Sequence, residues 1–562
     1  MSPRSLWAVA LVLVAVPALQ AQGTEKYLPS NSQIFAQADP RAMHEAAYKR
    51  TLIGKNLSGD LGKCLVAVYR HALLAAELFA VQEKKLSEEQ ISLIKKGLKL
   101  AEKIDGLSFG LELSSADPPQ GHIVLVLDKM GGDLPDFIAK VLDLHGLVPE
   151  KEKVGSTTIR SFALPQTQIG WWNQDGHALI YFGTDAPADY LKKINAGKTG
   201  LAGNSAYKGL KDVAKFETTG RAYVDYPVLV ATAGTVAPQV QQVTEELGLK
   251  GFGVARYVAG YEKEMVRLAS EMETTGPRDK GLLQIYNKKS FKLADLPPLP
   301  SDLSAFQASN FNPRQLYDIA YGSIQGVAKA YAPGQAEAID GFIAGGEGIL
   351  GIKLKDDFFN TFDDLAVQYD SPSEGFFLGK VLLLKVKDEA KLKKTLKTLV
   401  EAVPNVPFFT GKLTTTKFRG ADVHQYQNNT LGNYQLPTFA VHKGYLVIGS
   451  YPQGVRGYIL RADGVIPKWT PTPAALKALE PFPKQFVSIS YADAEYPFDA
   501  LLSILPIVMT AANGAAEKLP GLPPFDVNTI PHPQTLERAK YPSISITTDD
   551  GKKVRSETRA GY

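Results

Sequence analysis

The chain of 562 residues begins each of its two halves with the same pattern. Residues 28–48 contain Leu-Pro-Ser, Asp-Pro-Arg and Ala-Tyr in that order, and residues 299–321 contain Leu-Pro-Ser, Asn-Pro-Arg and Ala-Tyr in the same order. In both segments five residues separate the Arg from the Ala. Such a repeat constrains the fold strongly, because two copies of one pattern predict two copies of one local structure.

The patterns that follow in each half predict the same order of elements. In the first half, Ser87 begins a capping box before an amphipathic helix, two short apolar runs predict adjacent strands, and Asp133 begins a further helix. In the second half, two apolar strands are followed by a helix that begins at Asp388. Later strands correspond as well, and tight turns at Asp175-Gly176 and Lys443-Gly444 occupy matching places. We therefore predict an α+β fold of two tandem homologous copies, each an antiparallel sheet with helices packed on one face.

The N-terminus predicts export. Arg4 precedes an apolar run from Leu6 to Val16, and Pro17 and the small residue Ala21 follow. The run is much shorter than the roughly 20 residues that cross a bilayer as a helix, so cleavage near Ala21 is expected rather than a retained anchor. The expected location is the periplasm or the extracellular space, with no transmembrane anchor after cleavage.

The predicted domain boundaries follow from these two features. Residues 1–21 are the signal peptide, 22–276 the first α+β repeat, 277–300 a Pro-rich linker, and 301–562 the second α+β repeat. The linker ends in Leu296-Pro297-Pro298-Leu299-Pro300, which is typical of a stiff spacer.

Charge and cysteine content exclude several classes of protein. Lys and Arg number 62 against 58 for Asp and Glu, and this near balance argues against a nucleic-acid partner. Cys64 is the only cysteine, so no internal disulfide can form. It lies in an apolar helical pattern and His71 is two turns away, so we predict a buried, unreactive thiol.

Linear motifs for catalysis, metal binding or cofactor binding are absent from the sequence. The segment Gly322–Gly326 places its Ser one position too early for a nucleophile elbow, and the eight histidines fall at no metal-ligand spacing. Gly345–Gly351 is Gly-rich but matches no phosphate-binding loop, and we interpret it as a turn. The sequence therefore assigns no catalytic residue, no metal ligand and no cofactor.

Trp171 and Trp172 form the one local feature that indicates binding. Adjacent residues on a strand point to opposite faces, so one ring is expected to be buried while the other can be exposed. One interpretation is packing in the core and at the edge of a sheet. The other is a stacking surface for a sugar or an apolar ligand, which makes these two residues the candidate binding site.

The repeated opening, the turn before each apolar strand that ends in Gly-Thr or Gly-Ser, and the Gly276-Pro277-Arg278 segment resemble a family of exported bacterial proteins that carry a tandem domain of unknown function. The resemblance covers nearly all of the chain after the signal peptide. It implies a protein of the bacterial envelope or the extracellular space, and it implies no catalytic residues because the family has no assigned activity.

Three hypotheses about function follow. The first is an exported, non-enzymatic binding or envelope-associated protein whose envelope or extracellular partner is unknown, with a carrier of an apolar or glycan ligand as its variant. The second is a hydrolase whose catalytic groups meet only in the fold. The third is a structural element of a cell-surface assembly, which an exposed apolar patch would favour.

Overall fold

The computed structural model describes most of the chain after the predicted signal peptide, which lies outside the described residues together with Asp39, Pro40 and Arg41. The described ranges are 23–38, 46–82, 87–101, 103–116, 119–144, 146–213, 215–235, 238–279, 281–286, 289–375, 380–402, 411–427, 437–493, 496–516 and 521–561.

Strands form the framework of these ranges, ten in each half. Those of the first half are β1 (Ile34–Ala38), β2 (Leu107–Ala116), β3 (Pro119–Leu127), β4 (Glu150–Val154), β5 (Thr157–Leu164), β6 (Thr167–Gln174), β7 (His177–Gly183), β8 (Glu217–Asp225), β9 (Phe252–Glu262) and β10 (Met265–Thr274). Those of the second half are β11 (Ala305–Ser309), β12 (Phe362–Asp370), β13 (Lys380–Val386), β14 (Lys412–Phe418), β15 (Ala421–Gln427), β16 (Thr438–His442), β17 (Tyr445–Gly449), β18 (Ser488–Ala492), β19 (Ser543–Asp549) and β20 (Lys553–Ala560).

These strands build two antiparallel sheets. The larger sheet has the order β1-β8-β9-β10-β20-β19-β18-β11-β12-β13-β17-β16-β15-β14, and the smaller one has the order β2-β3-β7-β6-β5-β4. The two sheets meet where β2 runs beside β1, and the amide of Gln33 donates to the carbonyl oxygen of Leu111 there at 2.8 Å. Antiparallel sheets combined with helices confirm the predicted α+β class.

Helices connect the strands in both halves. Those of the first half are α1 (Ala46–Arg50), α2 (Leu52–Ser58), α3 (Asp60–Gln82), α4 (Glu88–Ala101), α5 (Leu134–Asp143), α6 (Pro187–Asn195), α7 (Ser205–Lys208), α8 (Leu210–Val213), α9 (Tyr226–Gly234) and α10 (Pro238–Glu246). Those of the second half are α11 (Pro313–Tyr331), α12 (Pro333–Leu350), α13 (Glu389–Ala402), α14 (Pro452–Ala462), α15 (Pro473–Leu479) and α16 (Tyr496–Ala516).

Helices cover both faces of the larger sheet at β16 and β17, so the prediction that the helices of each copy pack on one face is wrong. In the second half, Leu392 of α13 packs with Val441, whereas Tyr458 of α14 packs with Val447 in a different core. Strands β16 and β17 carry apolar side chains on both faces, and each apolar face is removed from water by its own helix. At these two strands the result is a helix, sheet, helix arrangement of three layers.

Strands β10 and β20 join the two halves into one sheet. They pair antiparallel from Val266 opposite Ala560 to Glu273 opposite Lys553. On one face of this pair the side chains are charged, and Arg267 bonds to Glu557 at 2.5 Å. Main-chain pairing of β10 with β20 therefore joins the two halves without interruption, and ion pairs on one face of the sheet reinforce it.

The segment 277–300, predicted as a linker, contacts both halves. Arg278 bonds to Asp549 of β19, and its side chain also donates to the carbonyl oxygen of Tyr286 at 2.7 Å. Phe291 pairs with Phe486, and Pro300 pairs with Lys468. These contacts fix the segment against the second half along most of its length.

Helix α16 contains the uncharged segment Ala500–Ala516. Its Leu502, Leu505 and Met509 pack against Leu61 and Cys64 of α3, so this helix packs on another helix. Cys64 is 2% exposed, and burial raises the pKa of its thiol, which confirms the prediction of a buried cysteine. Among the helices in the described ranges, none combines the length and the apolar character that crossing a membrane requires.

The interpretation of Gly345–Gly351 as a turn is wrong, because α12 continues to Leu350. The helix ends at Gly351, whose φ of 67° is the left-handed conformation that glycine adopts without strain. Glycine lowers helix propensity by only about 1 kcal/mol per residue relative to alanine, and the contacts of α12 with α11 and α13 outweigh that penalty.

Candidate functional site

A groove of about 460 Å³ lies on the larger sheet in the first half of the chain. Its floor is formed by five neighbouring strands, β1, β8, β9, β10 and β20, and its wall by the start of β2. The volume is within the range of small-molecule sites in proteins, about 300–1,000 Å³. The residues that line it are Ala36, Gln37, Ala38, Leu107, Phe109, Gly220, Arg221, Ala222, Tyr257, Val258, Ala259, Leu268, Ala269, Ser270, Ser556 and Thr558.

Small side chains create the groove. Ala36 lies opposite Ala222 on the neighbouring strand, and Ala38 lies opposite Gly220. The next strand continues this row with Ala259, which lies opposite Gly220 on the other side. Residues directly opposite each other in a sheet share one face, so these side chains form a shallow apolar floor. We call this side of the larger sheet the groove face and the opposite side the seam face.

The usual distribution of apolar and charged side chains is inverted at the centre of the sheet. On the groove face, Leu268 is 46% exposed and Tyr257 is 49% exposed. On the seam face of the same strands, the side chains of Arg267 and Glu271 are only 12% and 13% exposed. An alternating strand normally turns its apolar side to the core and its charged side to water. The groove face is therefore an apolar surface that the described residues leave uncovered.

The groove is uncharged although Arg221 borders it. The Nε of Arg221 donates to Oε1 of Gln37 at 2.9 Å, and the guanidinium lies 5.5 Å from the ring of Tyr207. Both contacts are on the seam face, so Arg221 contributes only its backbone to the groove. Tyr257 adds no charge, because a phenol with a pKa of 10 is neutral at physiological pH and partial burial raises the pKa of Tyr257 above that value. A ligand in the groove would make mainly apolar contacts, and a few hydroxyl groups at one end could form hydrogen bonds with it.

Neither predicted tryptophan lies at this groove or at any surface. Trp171 is 1% exposed and Trp172 is fully buried. Trp171 packs with helices α4 and α5 on one face of β6, and its Nε1 donates to the carbonyl oxygen of Pro135 at 3.0 Å. Trp172 packs with α6 on the other face. The prediction of a stacking surface at these residues is wrong, because helices cover both faces of the smaller sheet.

Three histidines lie beside acids, which bears on the hydrolase hypothesis. His177 Nδ1 lies 2.6 Å from Asp128 Oδ1 outside hydrogen-bond geometry, His122 Nε2 lies 3.6 Å from Glu112, and His442 Nε2 lies 2.9 Å from Asp463. None of these residues lines the groove or the second cavity described next. The pairs therefore stand apart from these two cavities.

A second, polar cavity of about 350 Å³ lies between α10, α11 and α12. The hydroxyl of Tyr321 and the Nε2 of Gln325 both donate to Asp340 Oδ1 at 2.5 Å. Glu246, Glu337 and Lys329 complete its charged lining. The central carboxylate already accepts two hydrogen bonds from the protein itself, and the described residues form no cluster of metal ligands.

Comparison with known proteins shows no family. No family model matches the chain, and no curated protein matches it. Crystal form III of TP0453 is similar at a TM-score of 0.25 and 7% identity, over 50% of this chain and 90% of that one. Crystal form I of TP0453 is similar at a TM-score of 0.24 and 8% identity, over 48% of this chain and 88% of that one. Likeness at this level carries no inference about function.

Sequence reasoning missed the groove, although two strands carried a signal for it. Between 265 and 273, and again between 553 and 560, charged residues alternate with Val, Leu, Met, Ser, Thr or Ala. That alternation predicts a strand with one charged face, but it does not show which face is covered. Only the register of β10 with β20 puts both uncharged faces on one side.

Proposed function

We propose that the protein is an exported, non-enzymatic binding protein of the bacterial envelope or extracellular space that holds an apolar ligand in the groove. The observation that carries this proposal is the inverted exposure of β10. Leu268 lies in water on the groove face, while Arg267 beside it in sequence is largely buried on the seam face. Uncovered apolar surface of this kind marks binding sites in soluble proteins.

We further propose that the two halves are tandem homologous copies. From the β10–β20 junction outwards, the strands run β10-β9-β8-β1 in one direction and β20-β19-β18-β11 in the other. The second half continues β12-β13-β17-β16-β15-β14, and the smaller sheet runs β2-β3-β7-β6-β5-β4. Every strand number in one half differs by ten from its counterpart in the other, which supports duplication of a ten-stranded unit.

Contacts between the halves support the same proposal. Helix α3, which follows β1, packs against α16, which follows β18. Helix α11, which follows β11, packs against α10, which follows β8. If the two halves are exchanged, one contact takes the place of the other, as in the two-fold symmetric interface of a dimer. Export is supported by the N-terminal pattern of Arg4 and the apolar run after it.

A chain-length series tests the binding proposal. Each methylene that moves from water into an apolar site contributes about 0.8 kcal/mol, so affinity should rise about fourfold per added carbon until the groove is filled. We would titrate the purified protein with hexyl, octyl and decyl maltoside by calorimetry, each below its micelle-forming concentration.

Substitution at Ala259 locates the binding. Ala259→Phe places a ring on the groove floor and should remove the dependence on chain length. Ala305→Phe makes the same change on the groove face of β11, beyond the groove, and should preserve it. Thermal unfolding of both variants confirms that they fold. Affinity that does not depend on chain length, or that survives Ala259→Phe in a folded protein, would refute the proposal.

A further inference from the structure

The groove is apolar over β1, β8 and β9 and changes character where it reaches β20. Ser270 lies opposite Ser556, and Leu268 lies opposite Thr558. Together with Ser270, the two residues of β20 are the hydroxyl-bearing side chains that line the groove on this sheet, apart from the phenol of Tyr257. One end of the site therefore offers hydrogen bonds that the other end lacks.

Hydroxyl groups continue beyond the groove on the same face of the sheet. Thr558 Oγ1 donates to Ser545 Oγ at 2.9 Å, and Thr547 Oγ1 donates to Ser556 Oγ at 3.2 Å. On the next strand Ser490 lies opposite Ser545. The serines and threonines of this row are half-buried, and Ile544 and Ile546 alternate with them towards the core on the other side. This row is called the hydroxyl ladder below.

Charge is kept off this face along both central strands. On β20 the charged residues from 553 to 559 occupy alternate positions, and the residues between them are Val554, Ser556 and Thr558. On β10, Val266, Leu268, Ser270 and Met272 alternate in the same way with Arg267, Glu271 and Glu273. The anionic and cationic side chains pair with one another on the seam face, as Lys553 does with Glu271 at 2.7 Å.

We infer that the ligand is an amphiphile with an alkyl chain and an uncharged, hydroxyl-rich polar end, of the glycolipid class. The alkyl chain lies over the small residues of β1, β8 and β9, and the polar end lies over the hydroxyl ladder. On β10 and β20 this face carries no charge that could pair with a charged headgroup, and Asp549, which shares the face on β19, already bonds to Arg278. Neutral sugar hydroxyls can both donate to and accept from serine and threonine. This inference rests on the proposed function, and it adds the class and orientation of the ligand.

The test compares headgroups at constant chain length. Decyl maltoside and decyl phosphocholine, each below its micelle-forming concentration, are titrated into the full-length protein. We expect the maltoside to bind at least about tenfold more tightly, which corresponds to about 1.4 kcal/mol. The double variant Ser556→Ala/Thr558→Val should lower this ratio towards one and leave the affinity for the phosphocholine unchanged.

A matched control removes a hydroxyl from the other side of the sheet. Thr548 lies on β19 opposite Arg555, on the seam face, so Thr548→Val should keep the tenfold preference. Equal binding of the two probes to the unchanged protein, or an unchanged ratio in the folded double variant, would overturn the glycolipid inference and leave the groove proposal standing. If neither probe binds, both the glycolipid inference and the groove proposal are overturned.

Discussion

The buried ion pair of Arg461 and Glu374 provides the sharpest test of how the second half is held together. The two side chains are 1% and 5% exposed, and they bond to each other beneath α14. Arg461 Nη2 also donates to the hydroxyl of Tyr369 at 2.6 Å, and that hydroxyl donates to Glu374 Oε2 at 2.8 Å. The Nε of Arg461 donates to the carbonyl oxygen of Pro298 at 3.3 Å, so the cluster also holds the segment before β11.

Arg461→Met leaves a carboxylate without its cation in an apolar surrounding. Removal of one partner of a buried pair costs about 3–5 kcal/mol of the free energy of unfolding, because the remaining charge is desolvated and unpaired. The double variant Arg461→Met/Glu374→Gln removes both charges, so it should cost at least about 2 kcal/mol less than the sum of the two single changes. Arg456 on the same helix is exposed, and Arg456→Met should change stability by no more than about 0.5 kcal/mol.

The cost of Arg461→Met should depend on pH. Burial is the largest influence on Glu374 and raises its pKa above 4.5, while Arg461 opposes that rise. Without Arg461 the pKa rises further. A carboxyl whose pKa is raised in the folded state stabilises the protein below the unfolded value and loses that contribution as the pH rises through the folded value. The cost should therefore be least below pH 4.5 and should grow above it, by about 1.4 kcal/mol per unit of added shift.

Urea unfolding, followed by circular dichroism at several values between pH 4.5 and 8, measures these differences. A cost of Arg461→Met below about 1 kcal/mol at pH 8 would show that the charge is not buried as described. Additive costs in the double variant would show that the two groups do not interact.

Four further predictions concern single positions. Desolvation lowers the pKa of His424, so the thermal midpoint should fall as the pH drops below about 6.5, and His424→Gln should weaken that dependence. Cys64 should react with a thiol reagent only after denaturant is added, because burial raises the pKa of its thiol; rapid labelling of the native protein would contradict this. A Cβ at Gly457 would lie 2.2 Å from Oε1 of Glu374, so Gly457→Ala should destabilise the protein by about 1–3 kcal/mol in urea unfolding. Gly322→Ala, in open space on α11, should stabilise it by up to about 1 kcal/mol.

Local patterns predicted local structure well. The helix expected to begin at Asp388 spans Glu389–Ala402, and the second of the two apolar strands expected before it spans Lys380–Val386. Asp175 and Gly176 both have positive φ, at 53° and 87°, as a two-residue turn between antiparallel strands requires. These features depend on residues close in sequence, which is why the sequence alone predicted them.

Predictions about burial failed where long-range packing decides the outcome. Both tryptophans at 171 and 172 occupy adjacent positions on β6, and alternation places them on opposite faces as expected. Whether the second face is exposed depends on where distant helices lie, and α5 and α6 occupy one face each. The pattern of a single strand contains no information on that point.

The groove could not be predicted from the sequence because residues of both halves form it. For the same reason, binding of a ligand in the groove is linked to the pairing of the two halves. Its lining extends from Ala36 in the first half to Thr558 in the second, and the hydroxyl end of the site exists only when β20 pairs with β10. A ligand that binds only this paired state stabilises it by mass action, by about 2.7 kcal/mol at a free concentration one hundred times the dissociation constant. Bound ligand should therefore raise the midpoint of the unfolding transition in which the two halves separate. The rise should be smallest for ligands that are too short to reach Ser556. Site and junction share the same two strands, so occupancy of one is thermodynamically linked to the integrity of the other.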